Sequence, residues 1–189
     1  MFINVPNLIT MSRIILIPLI IALYYVPDSW VALDDRNFAA TAVFILAAAT
    51  DWLDGYLARR LKQMSAFGAF LDPVADKLIV AGALAVLLHL GRVDMLVAFI
   101  IIGREIAVSA LREWMANLGQ GKSVAVAFIG KLKTVTQMIA IPLLLYHDRL
   151  FDLFDCQWLG TLLINIAAVL TVVSMLYYLR KALPYATKP

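Results

Sequence analysis

DWLDGYLARRLKQMSAFGAFLDPVADK, residues 51–77, sets four aspartates, Asp51, Asp54, Asp72 and Asp76, in or beside segments otherwise apolar enough for a bilayer. The flanking chain decides how they are to be understood. Of its 189 residues 63% are hydrophobic and only 15% charged, and the mean hydropathy is +0.87. A soluble domain holds about 45–50% apolar residues, so this composition points to an integral membrane protein. Apolar runs between polar or proline-containing breaks predict six transmembrane helices, near Asn7–Val26, Phe38–Arg59, Gly68–Leu90, Met95–Leu118, Val124–Tyr146 and Trp158–Arg180. The expected fold is all-α and polytopic, with residues 1–189 forming a single membrane domain. Leu- and Ala-rich runs of this length lack the period-2 alternation of a membrane barrel. No internal repeat or low-complexity segment interrupts them. Cys156 is the sole cysteine, which excludes an internal disulfide and a CxxC metal site. Arg13 breaks the first apolar run and no basic n-region precedes it, so a cleaved signal peptide is not expected.

Charge gives the orientation. The connections at 27–37, 91–94 and 147–157 carry the acids Asp28, Asp34, Asp35, Asp94, Asp148, Asp152 and Asp155, against the bases Arg36, Arg92 and Arg149. The other Lys and Arg residues fall on the opposite side, which the positive-inside rule assigns to the cytoplasm together with both termini and the connections at 60–67 and 119–123. The formal net charge of +3 is thus a basic face suited to anionic lipid headgroups or phosphates. Nucleic acid is not an expected partner, because the bases lie at membrane depth rather than on an exposed arm.

Helical spacing sorts the aspartates into two pairs, Asp51 with Asp54 at i, i+3 and Asp72 with Asp76 at i, i+4. A short connection makes their two helices antiparallel neighbours, so both pairs reach one depth, about 8–13 Å inside at 1.5 Å per residue. Ionised carboxylates gathered at low dielectric repel unless protons or cations compensate. Oxygen ligands without nearby His or Cys suit Mg2+ or Mn2+, and four acids suffice for two ions. Small residues at Gly55, Ala58, Gly68 and Ala69 leave room beside them for a bulky ligand. Plainer readings stand alongside: Asp72 before Pro73 fits an N-cap, small residues serve helix packing, and a lone aspartate serves a proton relay or an ion pair with Lys77 or Arg59.

A second constellation is basic. Arg104 and Arg112 lie on roughly one face of the fourth helix at i, i+8, and Lys131 and Lys133 lie about two turns inside the fifth, counted from its cytoplasmic end. Cations at that depth are unfavourable unless they meet anions. Glu105 and Glu113 can neutralise the arginines and lysines can snorkel, but the bases outnumber the local acids, which points to a phosphate-bearing substrate. Lys131 and Lys133 diverge by about 200° on an ideal helix, so one of them at most faces the same pocket directly. Asn7, Thr10 and Arg13 form a polar strip on the first helix, suited equally to a headgroup, a nucleotide or the membrane interface.

Residues 51–76 read DxxDGxxAR, eight residues, then GxxxDxxxD, a pattern that resembles the full signature of the CDP-alcohol phosphotransferases at Asp51, Asp54, Gly55, Ala58, Arg59, Gly68, Asp72 and Asp76. VPNLITMSRIILIP, GREIAVSALREWMA and VAVAFIGKLKTVTQM are similar to the bacterial phosphatidylglycerophosphate synthase branch. The resemblance implies a metal-dependent transfer of the phosphatidyl group from CDP-diacylglycerol to glycerol 3-phosphate, in phosphatidylglycerol biosynthesis at the bacterial inner membrane. Asp51, Asp54, Asp72 and Asp76 would bind two Mg2+ or Mn2+ ions, with Asp76 also the general base. Gly55, Ala58, Arg59 and Gly68, with Asn7 and Thr10, would serve the nucleotide, and Arg104, Arg112, Lys131 and Lys133 the acceptor phosphate. A homodimer is what the family suggests. A sibling transferase using inositol phosphate, or an ion-coupled transporter, are the alternatives; a transporter predicts broken helices or paired repeats, and the sequence has neither.

Overall fold

Apolar length and local caps divide the chain into helices. The computed structural model describes residues 5–60, 65–120, 128–150 and 154–186 and, of residues 5, 6, 52–59, 66 and 69, the backbone alone. Among the described residues the helices are α1 (Val5–Leu23), α2 (Leu33–Arg60), α3 (Ala66–His89), α4 (Met95–Asn117), α5 (Phe128–Tyr146) and α6 (Cys156–Ala186). Two short strands, β1 (Arg149–Leu150) and β2 (Phe154–Asp155), pair antiparallel with Arg149 opposite Asp155, inside a connection where no strand was expected.

Helix ends follow capping chemistry. Ser65 caps α3, its hydroxyl accepting from the Gly68 amide at 2.9 Å, and the Asp94 carboxylate caps α4 by accepting from the Leu96 amide at 2.8 Å. The Asp72–Pro73 pair therefore does not open α3, as an N-cap reading has it; both residues lie inside the helix, because the Ser65 cap starts it earlier. α3 and α4 end alike. Gly91 (φ +67) and Gly119 (φ +71) take the left-handed turn, and the following amides of Arg92 and Gln120 reach back to the carbonyls of Leu87 and Met115 at 2.8 Å.

α2 begins at Leu33, earlier than the expected Phe38, because charged residues in its first turns find partners. Arg36 donates to the Val26 carbonyl at 2.9 Å and pairs with Asp28. Asn37 accepts from Tyr24 at 3.1 Å and from Arg92 at 3.0 Å. Arg92 also donates to the carbonyls of Leu144 and Leu145 at 3.1 and 2.8 Å, closing the end of α5. This network, buried at Asn37 and Arg92, ties the α1–α2 connection, α2, α5 and the α3–α4 turn together at one end of the bundle.

α1 packs against α2 and α3, α5 against α6 and α2, and α4 against α6 and α3. Gly160 lets α6 approach α5 so closely that a Cβ there would stand 2.7 Å from Leu144 Cγ. Ile20, Phe44, Leu84, Leu87, Ile101, Ile141 and Leu144 fill the main core, and Val108, Met115, Tyr178 and Ala182 form a smaller one between α4 and α6. The polarity is inverted relative to a soluble bundle: Ile15, Phe99, Met95 and Phe128 face outward while Arg13, Lys133 and Gln137 are buried. Among the described residues, Phe128–Tyr146 and Cys156–Ala186 are long and apolar enough to cross a membrane by length and composition; Asn7–Leu23 is a shorter apolar helix. Six spans were expected; α3 and α4 differ from these two in holding Asp72, Asp76 and Lys77, and Arg104, Glu105, Arg112 and Glu113, within their apolar lengths.

Candidate active site

A cavity of about 390 Å³ opens between α1, α2, α3, α4 and α5. One wall carries Arg13, Asp51 and Asp76; the facing wall carries Glu105, Ser109, Arg112, Lys133, Thr134 and Gln137. Acids and bases that lie far apart in sequence therefore border one space.

The acidic wall is organised by Arg13. Its side chain is 1% exposed, and Nη1 donates to Asp51 Oδ1 at 2.6 Å and to Asp76 Oδ1 at 2.7 Å, joining α1, α2 and α3. Those carboxylates are themselves about half exposed, at 46% and 52%, so each keeps an open side toward the cavity. Asp72 is engaged differently, accepting from the Thr10 hydroxyl at 2.8 Å. Asn7 accepts from Ser65 Oγ at 3.0 Å. Gly68 is needed where α1 meets α3: a Cβ there would stand 2.6 Å from Asn7 Oδ1. The polar strip of α1 thus supports the third helix rather than lying along an open interface. Asp54, Gly55, Ala58 and Arg59 are on α2, and their side chains lie outside the described residues.

Among the described residues no group of three or more His, Cys, Asp or Glu side chains converges tightly enough for a metal ion. The donor set nonetheless fits one. Asp51 and Asp76 turn hard oxygens toward a single positive centre, at present the Arg13 guanidinium, and that arrangement suits a divalent cation beside it.

The basic wall separates the four predicted cations. Lys133 is 1% exposed and donates to the Glu105 carboxylate, whereas Lys131 points outward and does not border the cavity. The divergence expected of residues two apart on a helix accounts for the split. Arg112 lines the cavity and donates to Tyr178 Oη at 3.2 Å, its guanidinium 5.3 Å from the ring centre. Arg104 turns to α6 instead, donating to Ser174 Oγ at 3.0 Å and standing 3.7 Å from Glu105. The expected Arg104–Glu105 neutralisation is thus present, but Glu105 is shared with Lys133 and Arg104 is not on the cavity wall. Tyr178, Ser174 and Gln137 were not expected in this role. Each is one of several uncharged polar side chains in a mainly apolar helix, a signal too common in sequence to single out.

Known proteins resemble this chain along most of its length. A family model described as CDP-alcohol phosphatidyltransferase matches residues 3–173. Proteins named CDP-diacylglycerol–glycerol-3-phosphate 3-phosphatidyltransferase from Shigella flexneri serotype 5b (strain 8401) and Escherichia coli (strain K12) are each 48% identical to it over 182 residues, covering 95% of this chain and 94% of the relative.

Proposed function

Because this chain belongs to the CDP-alcohol phosphatidyltransferases, we propose that its reaction is transfer of the phosphatidyl group from CDP-diacylglycerol to glycerol 3-phosphate, giving phosphatidylglycerophosphate and CMP. The observation that carries this reading is the juxtaposition in one cavity of the Asp51–Asp76 wall with Arg112 and Lys133. One side suits a pyrophosphate with a divalent cation; the other suits the phosphate of a second substrate.

Asp51, Asp54, Asp72 and Asp76 would hold Mg2+ or Mn2+, two ions by the number of acids. Held there, a divalent ion would supply positive charge to offset the pyrophosphate and favour departure of CMP. Asp76 accepts the proton of the glycerol 3-phosphate 1-hydroxyl; the oxygen attacks the β-phosphorus that bears diacylglycerol, and the bond from that phosphorus to CMP breaks. No phosphoenzyme is required. Arg112 and Lys133 fix the acceptor phosphate, and Asn7, Thr10 and Gly68, with Gly55, Ala58 and Arg59, shape the nucleotide end. Much of the acceleration comes from orientation of two bound reactants.

Residues 1–189 are one membrane domain in this reading, with all six helices spanning and the site and both termini on the cytoplasmic side of a bacterial inner membrane. The outward apolar side chains and the distribution of Lys and Arg support it.

Purified protein should release CMP from CDP-diacylglycerol when given glycerol 3-phosphate with Mg2+ or Mn2+. Serine and choline should be inert, chelation should stop release, and added ion should restore it. Turnover with inositol phosphate in place of glycerol 3-phosphate, or release indifferent to the chelator, would refute the assignment. Arg112→Ala should raise the apparent KM for glycerol 3-phosphate about tenfold to a hundredfold with a smaller change in kcat, as for loss of a charge-assisted hydrogen bond of about 1.5–3 kcal/mol. An unchanged acceptor KM takes Arg112 out of the phosphate pocket.

A further inference from the structure

Gln137 is a polar group on the cavity wall that the transfer reaction, as derived above, does not use. Gln137 is 2% exposed and lines the cavity, yet its Oε1 is buried with no hydrogen-bond partner. A buried amide oxygen in that condition is unfavourable unless something in the working protein satisfies it. The other uncharged polar side chains on this wall are committed to their own helices: Ser109 donates to the Glu105 carbonyl at 2.7 Å and Thr134 to the Gly130 carbonyl at 3.0 Å.

Position narrows what Gln137 meets. It follows Lys133 by one turn on the same buried face of α5, about 6 Å further along the axis. Counted from the ends that adjoin the connections at 61–64 and 118–127, Arg112 and Lys133 lie about 8 Å into α4 and α5, while Gln137 and Asp76 lie about 14–15 Å into α5 and α3. An acceptor whose phosphate rests on Arg112 and Lys133 and whose reacting hydroxyl is turned to Asp76 runs its carbon chain past Gln137.

We propose that Gln137 is a specificity-determining residue that reads the secondary hydroxyl on the middle carbon of the acceptor, the hydroxyl donating to the amide oxygen. The inference rests on the reaction proposed above. A three-carbon acceptor without that hydroxyl leaves the amide buried and unpaired, and a site built this way discriminates far more strongly than one that merely fits shape. The same contact distinguishes the mirror-image glycerol phosphate, in which the middle hydroxyl is directed elsewhere once the phosphate and the primary hydroxyl are fixed.

The test measures CMP release by the full-length protein with glycerol 3-phosphate, with 3-hydroxypropyl phosphate, which lacks the middle hydroxyl, and with sn-glycerol 1-phosphate. Wild type should favour glycerol 3-phosphate over both by roughly a hundredfold or more in kcat/KM. Gln137→Leu should lower kcat/KM for glycerol 3-phosphate by about that factor and leave 3-hydroxypropyl phosphate within about threefold, so that the preference collapses. Gln137→Glu, which keeps an acceptor oxygen, should retain part of it. Turnover of 3-hydroxypropyl phosphate by the leucine variant is itself the control for folding. A wild-type preference preserved in Gln137→Leu, an equal loss on all acceptors in both variants, or a wild type indifferent to the middle hydroxyl would each overturn the proposal. Failure of the reaction reads differently: wild type would then release no CMP with any of the three, and the inference would fall with it.

Discussion

Replacing Asp76 by asparagine is expected to lower CMP release by about 10²–10⁴-fold while leaving the helical fold and CDP-diacylglycerol binding in place. The size follows from loss of a positioned proton acceptor. Asparagine is nearly isosteric and its amide oxygen still accepts from Arg13, which holds Asp76 Oδ1 at 2.7 Å, so the junction of α1 and α3 survives. What disappears is the negative charge and the basicity, at a side chain that borders the cavity. Initial rates of CMP release, measured beside equilibrium binding of CDP-diacylglycerol, check this. Near-normal turnover in Asp76→Asn removes the general-base role.

Arg13→Ala should have the second largest effect, and it falls on stability before chemistry. The guanidinium is the buried tie between α1, α2 and α3 through Asp51 and Asp76. Removing one partner of a fully buried pair is unfavourable by about 3–5 kcal/mol; with both carboxylates half exposed the expectation drops to roughly 1–3 kcal/mol. The loss should shrink when Mg2+ is present, because a divalent ion takes over the neutralisation of the same carboxylates, and Arg13→Lys should restore part of it. Thermal unfolding in detergent, with and without Mg2+, gives the comparison. An Arg13→Ala midpoint equal to wild type in metal-free buffer would show that the two ion pairs contribute nothing.

The helices were legible in the sequence because their signals are local. Asp94 marks the start of α4, and Gly91 and Gly119 mark the turns after α3 and α4, so those boundaries fall where expected. α2 starts earlier than its apolar run because Arg36 and Asn37 are satisfied by Asp28, Tyr24 and Arg92, partners that only the tertiary fold brings near. α3 reverses the reading of Asp72 for the same kind of reason: a serine seven residues upstream caps the helix, and the aspartate is released to meet Thr10 on α1.

The site was legible as a set of residue types at helical spacing, less so as a set of directions. Spacing alone required that Lys131 and Lys133 diverge, and Lys133 is the one turned inward. Spacing sets Arg104 and Arg112 about 80° apart on one side of α4, but nothing local said which would turn to α6, as Arg104 does, and which to the cavity, as Arg112 does. Arg13 stood out as a basic residue in an apolar run, but its function as a bridge depends on Asp51 and Asp76 arriving from two other helices.

The Arg92 network bears on how a two-tailed lipid gets in. With its guanidinium bonded to carbonyls of Leu144 and Leu145 in the last turn of α5 and to Asn37 of α2, one end of the helix bundle is held together. Drawing α2 and α5 apart at that end would sacrifice these hydrogen bonds, so room between the two helices for acyl chains is more easily made at the opposite end.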